Sequence, residues 1–248
     1  MLRGFWKLTW VEIKIFLREP LGVIGSVVIP VVLFLVLGRG MGSRAGRSDR
    51  ATQYLGQDLP ILIGVLIAIS AALSLVAVIS IYREGGILKR LRATPLRPPT
   101  ILGAHVVVKL LFTALTLGLM VLAGRRFYPV SLDVNVPSFA LALIVSTVAV
   151  LTLGFVIASF VPTARFAQPI GSLILYPMIA LSGLFVPLDA LPRAWAAVGS
   201  VLPVTHAVTL MRAAWSGAGW IEALPSLGAL LLTIVVCVGV SAKVFRWE

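Results

Sequence analysis

Charge is what this chain has least of. Charged side chains make up 12% of its 248 residues, about half the share of an ordinary globular protein. Only nine of them are acids: Glu12, Glu19, Asp49, Asp58, Glu84, Asp133, Asp189, Glu222 and Glu248. None falls in the middle of a long apolar run, where a proton- or sodium-driven transporter normally needs an ionisable group or an unwound coordinating segment. There is a single cysteine, Cys237, which excludes an intrachain disulfide. The two histidines make neither H-E-x-x-H nor a Cys/His cluster at metal spacing. G-x-S-x-G is missing, and so is the phosphate-cradling loop G-x-x-x-x-G-K-[ST]. The chain offers no catalytic set, no metal site and no nucleotide site of its own. It is therefore not read as an enzyme.

What is present is apolar. The sequence is 59% hydrophobic with a mean hydropathy of +1.05. Several runs reach the roughly 20 helical residues that cross a hydrocarbon core. Lipid admits helices or closed barrels, and runs of this length are helices. The fold class expected is an all-α polytopic membrane protein. The net charge of +12 would suggest nucleic acid in a soluble chain. Here the cations sit in short segments beside apolar runs, where they set orientation and meet anionic lipid, so nucleic acid is not a partner.

Residues 1–19 read as an amphipathic helix in the membrane interface. Arg3, Lys7, Lys14 and Arg18 share one side, and Phe5, Trp6, Trp10, Ile13, Phe16 and Leu17 cover most of the rest. No cleavage site follows a short apolar core, so no removable leader is expected. Six transmembrane helices follow, over 21–37, 59–82, 100–123, 137–161, 169–186 and 223–242. The polar stretch 38–58 lacks helical periodicity, and 162–168 reads as a tight turn. Residues 187–222 are too apolar for a loop, yet Pro192, Arg193, Pro203 and Arg212 cut them into pieces too short to cross. They read as an extracytoplasmic re-entrant hairpin.

With the N-terminus inside, twelve cations face the cytoplasm and eight the outside, Lys109 completing the 21. This bias places both termini in the cytoplasm of a multi-pass protein of the cell membrane. His105 and Lys109 form an i,i+4 pair near the cytoplasmic end of the third span. They read as interface-seeking residues or as a contact to substrate or partner. His206, in the hairpin, suits a structural hydrogen bond. Gln168, Ser172 and Tyr176 share a seam of the fifth span that could line a pathway.

Between the second and third spans lies Y-R-E-G-G-I-L-K-R-L-R-A-T-P-L-R-P-P, residues 82–99. A short helix fits its middle, with Ile87, Leu88 and Leu91 on one side and cations on the other, and Pro95 stops it.

R-E-G-G-I-L-K-R-L-R-A-T-P-L (83–96) resembles the cytoplasmic signature R-E-x-G-T-L-x-x-L-x-x-T-P of ATP-binding-cassette (ABC) exporter permeases. The class is type 2, in its drug-resistance-exporter branch. Arg83, Glu84, Gly86, Leu88, Leu91, Thr94 and Pro95 match, and Ile87 replaces the usual Thr. S-G-L-F-V-P-L-D-A-L-P (182–192) with L-P-V-T-H-A-V-T-L-M-R (202–212) is similar to two further elements of that family. The order of interfacial helix, six spans and broken hairpin fits as well.

The resemblance implies that 83–97 is a coupling helix seated on a separate ABC ATPase subunit, with Arg92 among its contacts. Arg3, Lys7, Lys14 and Arg18 would brace that subunit. Two ATPase copies, binding ATP and Mg, would drive two copies of this chain, a homodimer in lipid. Phe185, Pro187, Pro192 and Pro203 would belong to the exit gate. The function implied is multidrug-type efflux by alternating access, moving a drug, lipid or glycolipid outward from the cytoplasm or inner leaflet. An ATP-independent facilitator or channel is the alternative. A polysaccharide permease fits less well, because only 8% of residues are aromatic, and an intramembrane enzyme lacks its catalytic set.

Overall fold

The structure is a computed structural model that describes residues 2–18, 20–45, 58–86, 98–127, 135–161, 163–217 and 220–244. Every regular element among them is helical. The helices are α1 (Leu2–Arg18), α2 (Pro20–Val23), α3 (Ile29–Ala45), α4 (Leu59–Glu84), α5 (Pro98–Phe127), α6 (Val136–Phe160), α7 (Ala164–Ala180), α8 (Arg193–Val201), α9 (Pro203–Ser216) and α10 (Trp220–Val244). A π-helical turn, Ile24–Val28, joins α2 to α3, and a 3-10 turn, Leu188–Ala190, precedes α8.

The core is built around α4. No charge interrupts it between Asp58 and Arg83, and a helix apolar on every side is stable only where every side is covered. Helices α3, α5, α6, α7 and α9 supply the cover. Ile61, Ile63, Ala72, Leu75 and Val76 are completely buried. The backbones of α4 and α6 approach closely: a Cβ on Gly154 would lie 3.1 Å from the Ala72 carbonyl oxygen. In contrast, α10 packs on α6 and α9 and leaves Ile221, Leu232 and Val235 exposed, as a lipid-facing helix does.

By length and composition, four helical segments can cross a membrane: Leu59–Glu84, Gly103–Ala123, Val136–Phe160 and Trp220–Lys243. The pair α8–α9, bent by 76°, makes five if it counts as one broken span. The bend has a local cause. Leu202 precedes Pro203 and is forced into an extended conformation (φ −70°, ψ 134°). The Thr205 hydroxyl then donates to the Gly199 carbonyl at 2.6 Å, fixing the corner.

Several expected boundaries move. The first apolar segment is short, Ile24–Leu37, and carries the π turn before Pro30. Proline has no N–H to offer the Ser26 carbonyl, which the Thr116 hydroxyl of α5 approaches at 3.3 Å. The helix then runs on to Ala45, through residues expected to be irregular, because Gly38, Gly40 and Gly42 weaken a helix without stopping it. The fifth segment begins at Ala164 rather than at 169 and ends at Ala180 rather than at 186. Its start is capped from a distant helix, as described below. Its end falls before Gly183, whose positive φ of 76° takes the chain into a turn. Arg83 and Glu84 close α4 instead of opening the loop. The short helix expected beyond Gly86 lies outside the described residues.

Candidate functional site

The last turn of α4 fastens three neighbours with three consecutive residues. The Tyr82 hydroxyl donates to Glu12 Oε1 of α1 at 3.0 Å. The Arg83 guanidinium donates to the carbonyls of Val161 at 2.8 Å and Ala158 at 2.6 Å. Those oxygens belong to the C-terminal turn of α6, where the ladder has no partner left and the helix dipole favours a cation. Glu84 Oε2 accepts from the backbone N–H of Ala164 at 2.9 Å. That N–H is the first of α7, and the N-cap residue Thr163 makes no side-chain capping bond itself. One Arg-Glu dipeptide thus closes one helix and opens the next across the turn between them, each charge at the dipole end that suits it.

Beside this junction lies a polar cluster inside an apolar wall. Glu12 is only 7% exposed, and His105 Nδ1 lies 3.4 Å from its second oxygen. The Lys109 ammonium donates to Ser74 Oγ of α4 at 2.6 Å and stands 4.4 Å from the Phe16 ring centroid. Burial holds the Glu12 carboxyl above the usual carboxylate range, and the Tyr82 bond and the Lys109 charge only partly oppose it. The cluster joins α1, α4 and α5. His105 and Lys109 are therefore buried contacts between helices in this chain.

Helix α1 turns Thr9, Glu12 and Phe16 inward. Trp6, Trp10, Leu17, Lys7, Lys14 and Arg18 stay exposed, an amphipathic arrangement suited to headgroup depth. The side chain of Arg3 lies outside the described residues. Of the expected coupling residues, Arg83, Glu84 and Gly86 are described; Leu88, Leu91, Arg92, Thr94 and Pro95 are outside. Gln168, Ser172 and Tyr176 do share one side of α7. Gln168 and Tyr176 are exposed, and the Ser172 hydroxyl bonds back to the Gln168 carbonyl at 2.8 Å. Phe185 and Pro187 lie in the turn after α7, Pro192 caps α8, and Pro203 opens α9 at the bend. His206 is half-buried on α9.

Sequence reasoning missed Glu12 and the pair Asp58–Arg212, whose charged atoms lie 3.0 Å apart between the start of α4 and α9. Glu12 had a signal. At 100° per residue it stands about 150° from the centre of the cation stripe on α1, an acid on the apolar face. The partners of Arg83 and Glu84 had none, since they lie 75 to 80 residues away. Among the described residues, no group of three His, Cys, Asp or Glu is placed to hold a metal ion.

Comparison with known proteins places this architecture. Residues 3–215 match the sequence pattern of the family described as ABC-2 type transporter. The chain is 26% identical over 232 residues to Nodulation protein J of Rhizobium leguminosarum bv. viciae, covering 90% of this chain and 86% of that one. A second Nodulation protein J, from Rhizobium leguminosarum bv. trifolii, is 28% identical over 109 residues, 44% of this chain and 42% of its own length. Members of the family are transmembrane, non-catalytic subunits that normally work with an ATP-binding subunit. With the match spanning α1 to α9 around the motif end of α4, the chain belongs to the ABC-2 type transporter family and is a membrane permease of an ABC transporter.

Proposed function

We propose that this chain is the permease of an ATP-driven exporter that moves an amphipathic or hydrophobic substrate (a drug, lipid or glycolipid) out of the inner leaflet. The observation that carries the reading is the family match over residues 3–215, which includes the motif at the end of α4. Two ATPase subunits would bind ATP and Mg and seat the loop 83–97 of each of two permease copies. Leu88 and Leu91 fill an apolar groove of the ATPase, and Arg92 and the cations of α1 flank it. Closure of the ATPase pair tilts the spans between inward- and outward-facing states. Gln168, Ser172 and Tyr176 line the path, and the region of Phe185, Pro187, Pro192 and Pro203 forms the outer gate.

Six crossings of the cell membrane, with both termini cytoplasmic, complete the proposal. Contacts at the two ends of α4 support it. Helix α1 meets Tyr82 at one end, whereas Asp58 lies at the other, about 39 Å away at 1.5 Å per residue over 26 residues. The segment 20–57 has to cover that span. Likewise α7 starts beside Glu84, and Arg212 in the C-terminal half of α9 lies beside Asp58.

The test is purification of the tagged full chain from its own cells and reconstitution with whatever ATPase accompanies it. ATP-driven efflux of a rhodamine-type amphipathic dye from vesicles is expected, and Leu91→Ala should uncouple hydrolysis from efflux while the protein still inserts. Dye flux without any ATPase would overturn the proposal in favour of a facilitator or channel.

A further inference from the structure

The exporter reading treats Arg83 and Glu84 as residues that touch the ATPase, yet the structure gives each of them work inside the chain. Arg83 spans two carbonyls at the end of α6, and Glu84 holds the first N–H of α7. Tyr82, one position earlier, holds α1 through Glu12. A tilt or shift of the last turn of α4 is therefore imposed on three helices at once. Arginine suits its place because its planar fork presents several donors in fixed geometry, so one side chain meets two carbonyls. Glutamate suits its place because a carboxylate at a helix N-terminus satisfies an orphan N–H and faces the positive end of the dipole.

We infer that Tyr82, Arg83 and Glu84 are positioning residues, an intramolecular clamp that makes α1, α6 and α7 follow the end of α4, rather than residues that bind the partner subunit. The inference rests on the exporter reading for its functional half only; the clamp itself is a property of this chain. Under it, force applied to the segment after Gly86 reaches the turn between α6 and α7, and so the Gln168–Tyr176 side of α7, without any second contact to the ATPase.

The contrast between two Glu84 variants separates the possibilities. Glutamine keeps an acceptor for the Ala164 N–H and loses the charge; alanine loses both. In the purified full chain in nanodiscs, Glu84→Ala should raise hydrogen exchange of the Ala164 amide about fivefold, the size of a lost N-cap, and Glu84→Gln should leave it within about twofold. Arg83→Ala should loosen the end of α6 in the same experiment. In the complex with its ATPase, Glu84→Ala should lower rhodamine-type dye efflux per ATP several-fold, and Glu84→Gln should restore most of it. Glu84 is exposed, so both variants are expected to insert even where Arg83→Ala does not.

If neither variant changes exchange at Ala164, or if Glu84→Gln uncouples as fully as Glu84→Ala, the carboxylate serves a cation on the partner and the clamp is wrong. If the unaltered chain recovers no ATPase, the exporter reading fails, and exchange at Ala164 alone then decides the clamp.

Discussion

At the scale of single residues, the balance is between desolvation and partners. Glu12 shows it best. Its carboxyl sits in an apolar wall and titrates above its ordinary range because burial outweighs the Tyr82 bond and the Lys109 charge. A carboxyl whose folded pKa is raised binds its proton more tightly in the folded state. Its stabilising effect is complete below the unfolded value of 4.5 and is lost as pH climbs from there through the folded value. The packing of α1 on α4 and α5 should therefore weaken across that window, and Glu12→Gln should flatten the dependence. Emission of Trp6 and Trp10 during thermal melts at stepped pH reads the effect. Glu12→Ala also removes the acceptor of Tyr82 and should cost about 1–2 kcal/mol where Glu12 is protonated, and less at higher pH, where it also removes a desolvated charge. The Asp58–Arg212 pair is a different case. Both side chains are partly exposed, and such pairs contribute about 0–1 kcal/mol, so its role is to hold α9 at the start of α4 more than to stabilise the fold.

At the scale of helices, small residues set distances. Gly154 lets α6 lie against Ala72, and its missing Cβ would come within 3.1 Å of a backbone oxygen that cannot swing away. Gly154→Leu should force α4 and α6 apart at a cost of about 1–3 kcal/mol or more, seen as a lower melting temperature in detergent and poor yield. Gly228, with nothing within 4 Å of its Cβ position, tolerates the same change. The helices themselves were legible wherever one long apolar run had no interruption, as in 59–82, 137–161 and 223–242, each observed within about three residues of its expected ends. Interruptions misled. Pro169 reads as a helix start, yet α7 begins five residues earlier because Glu84 caps it from 80 positions away. The amphipathic α1 was legible from its cations, but its docking through Glu12 depends on Tyr82 and His105, which periodicity on α1 cannot reveal. The resemblance to the family signature marked Arg83 and Glu84; only three-dimensional proximity shows what they hold.

At the scale of the whole molecule, α1 and the α6–α7 turn gather at one end of α4, and Arg212 of α9 lies at the other. Six crossings predict that single cysteines placed near residues 50, 130 and 190 react with a membrane-impermeant maleimide from outside. Those near 90, 165 and 245 should react only after permeabilisation, in a background with Cys237 replaced. Labelling of 50 and 90 from the same side would reduce the crossings to those that length alone supports. The Tyr82–Glu84 clamp also has a bearing on biosynthesis. Glu84 leaves the ribosome 80 residues ahead of Ala164, and at about 5–20 residues per second that is an interval of roughly 4–16 s. During it, the end of α4 has α1 to hold but neither α6 nor α7. The permease therefore acquires its motif end in two stages, and the second waits until two-thirds of the chain has been made.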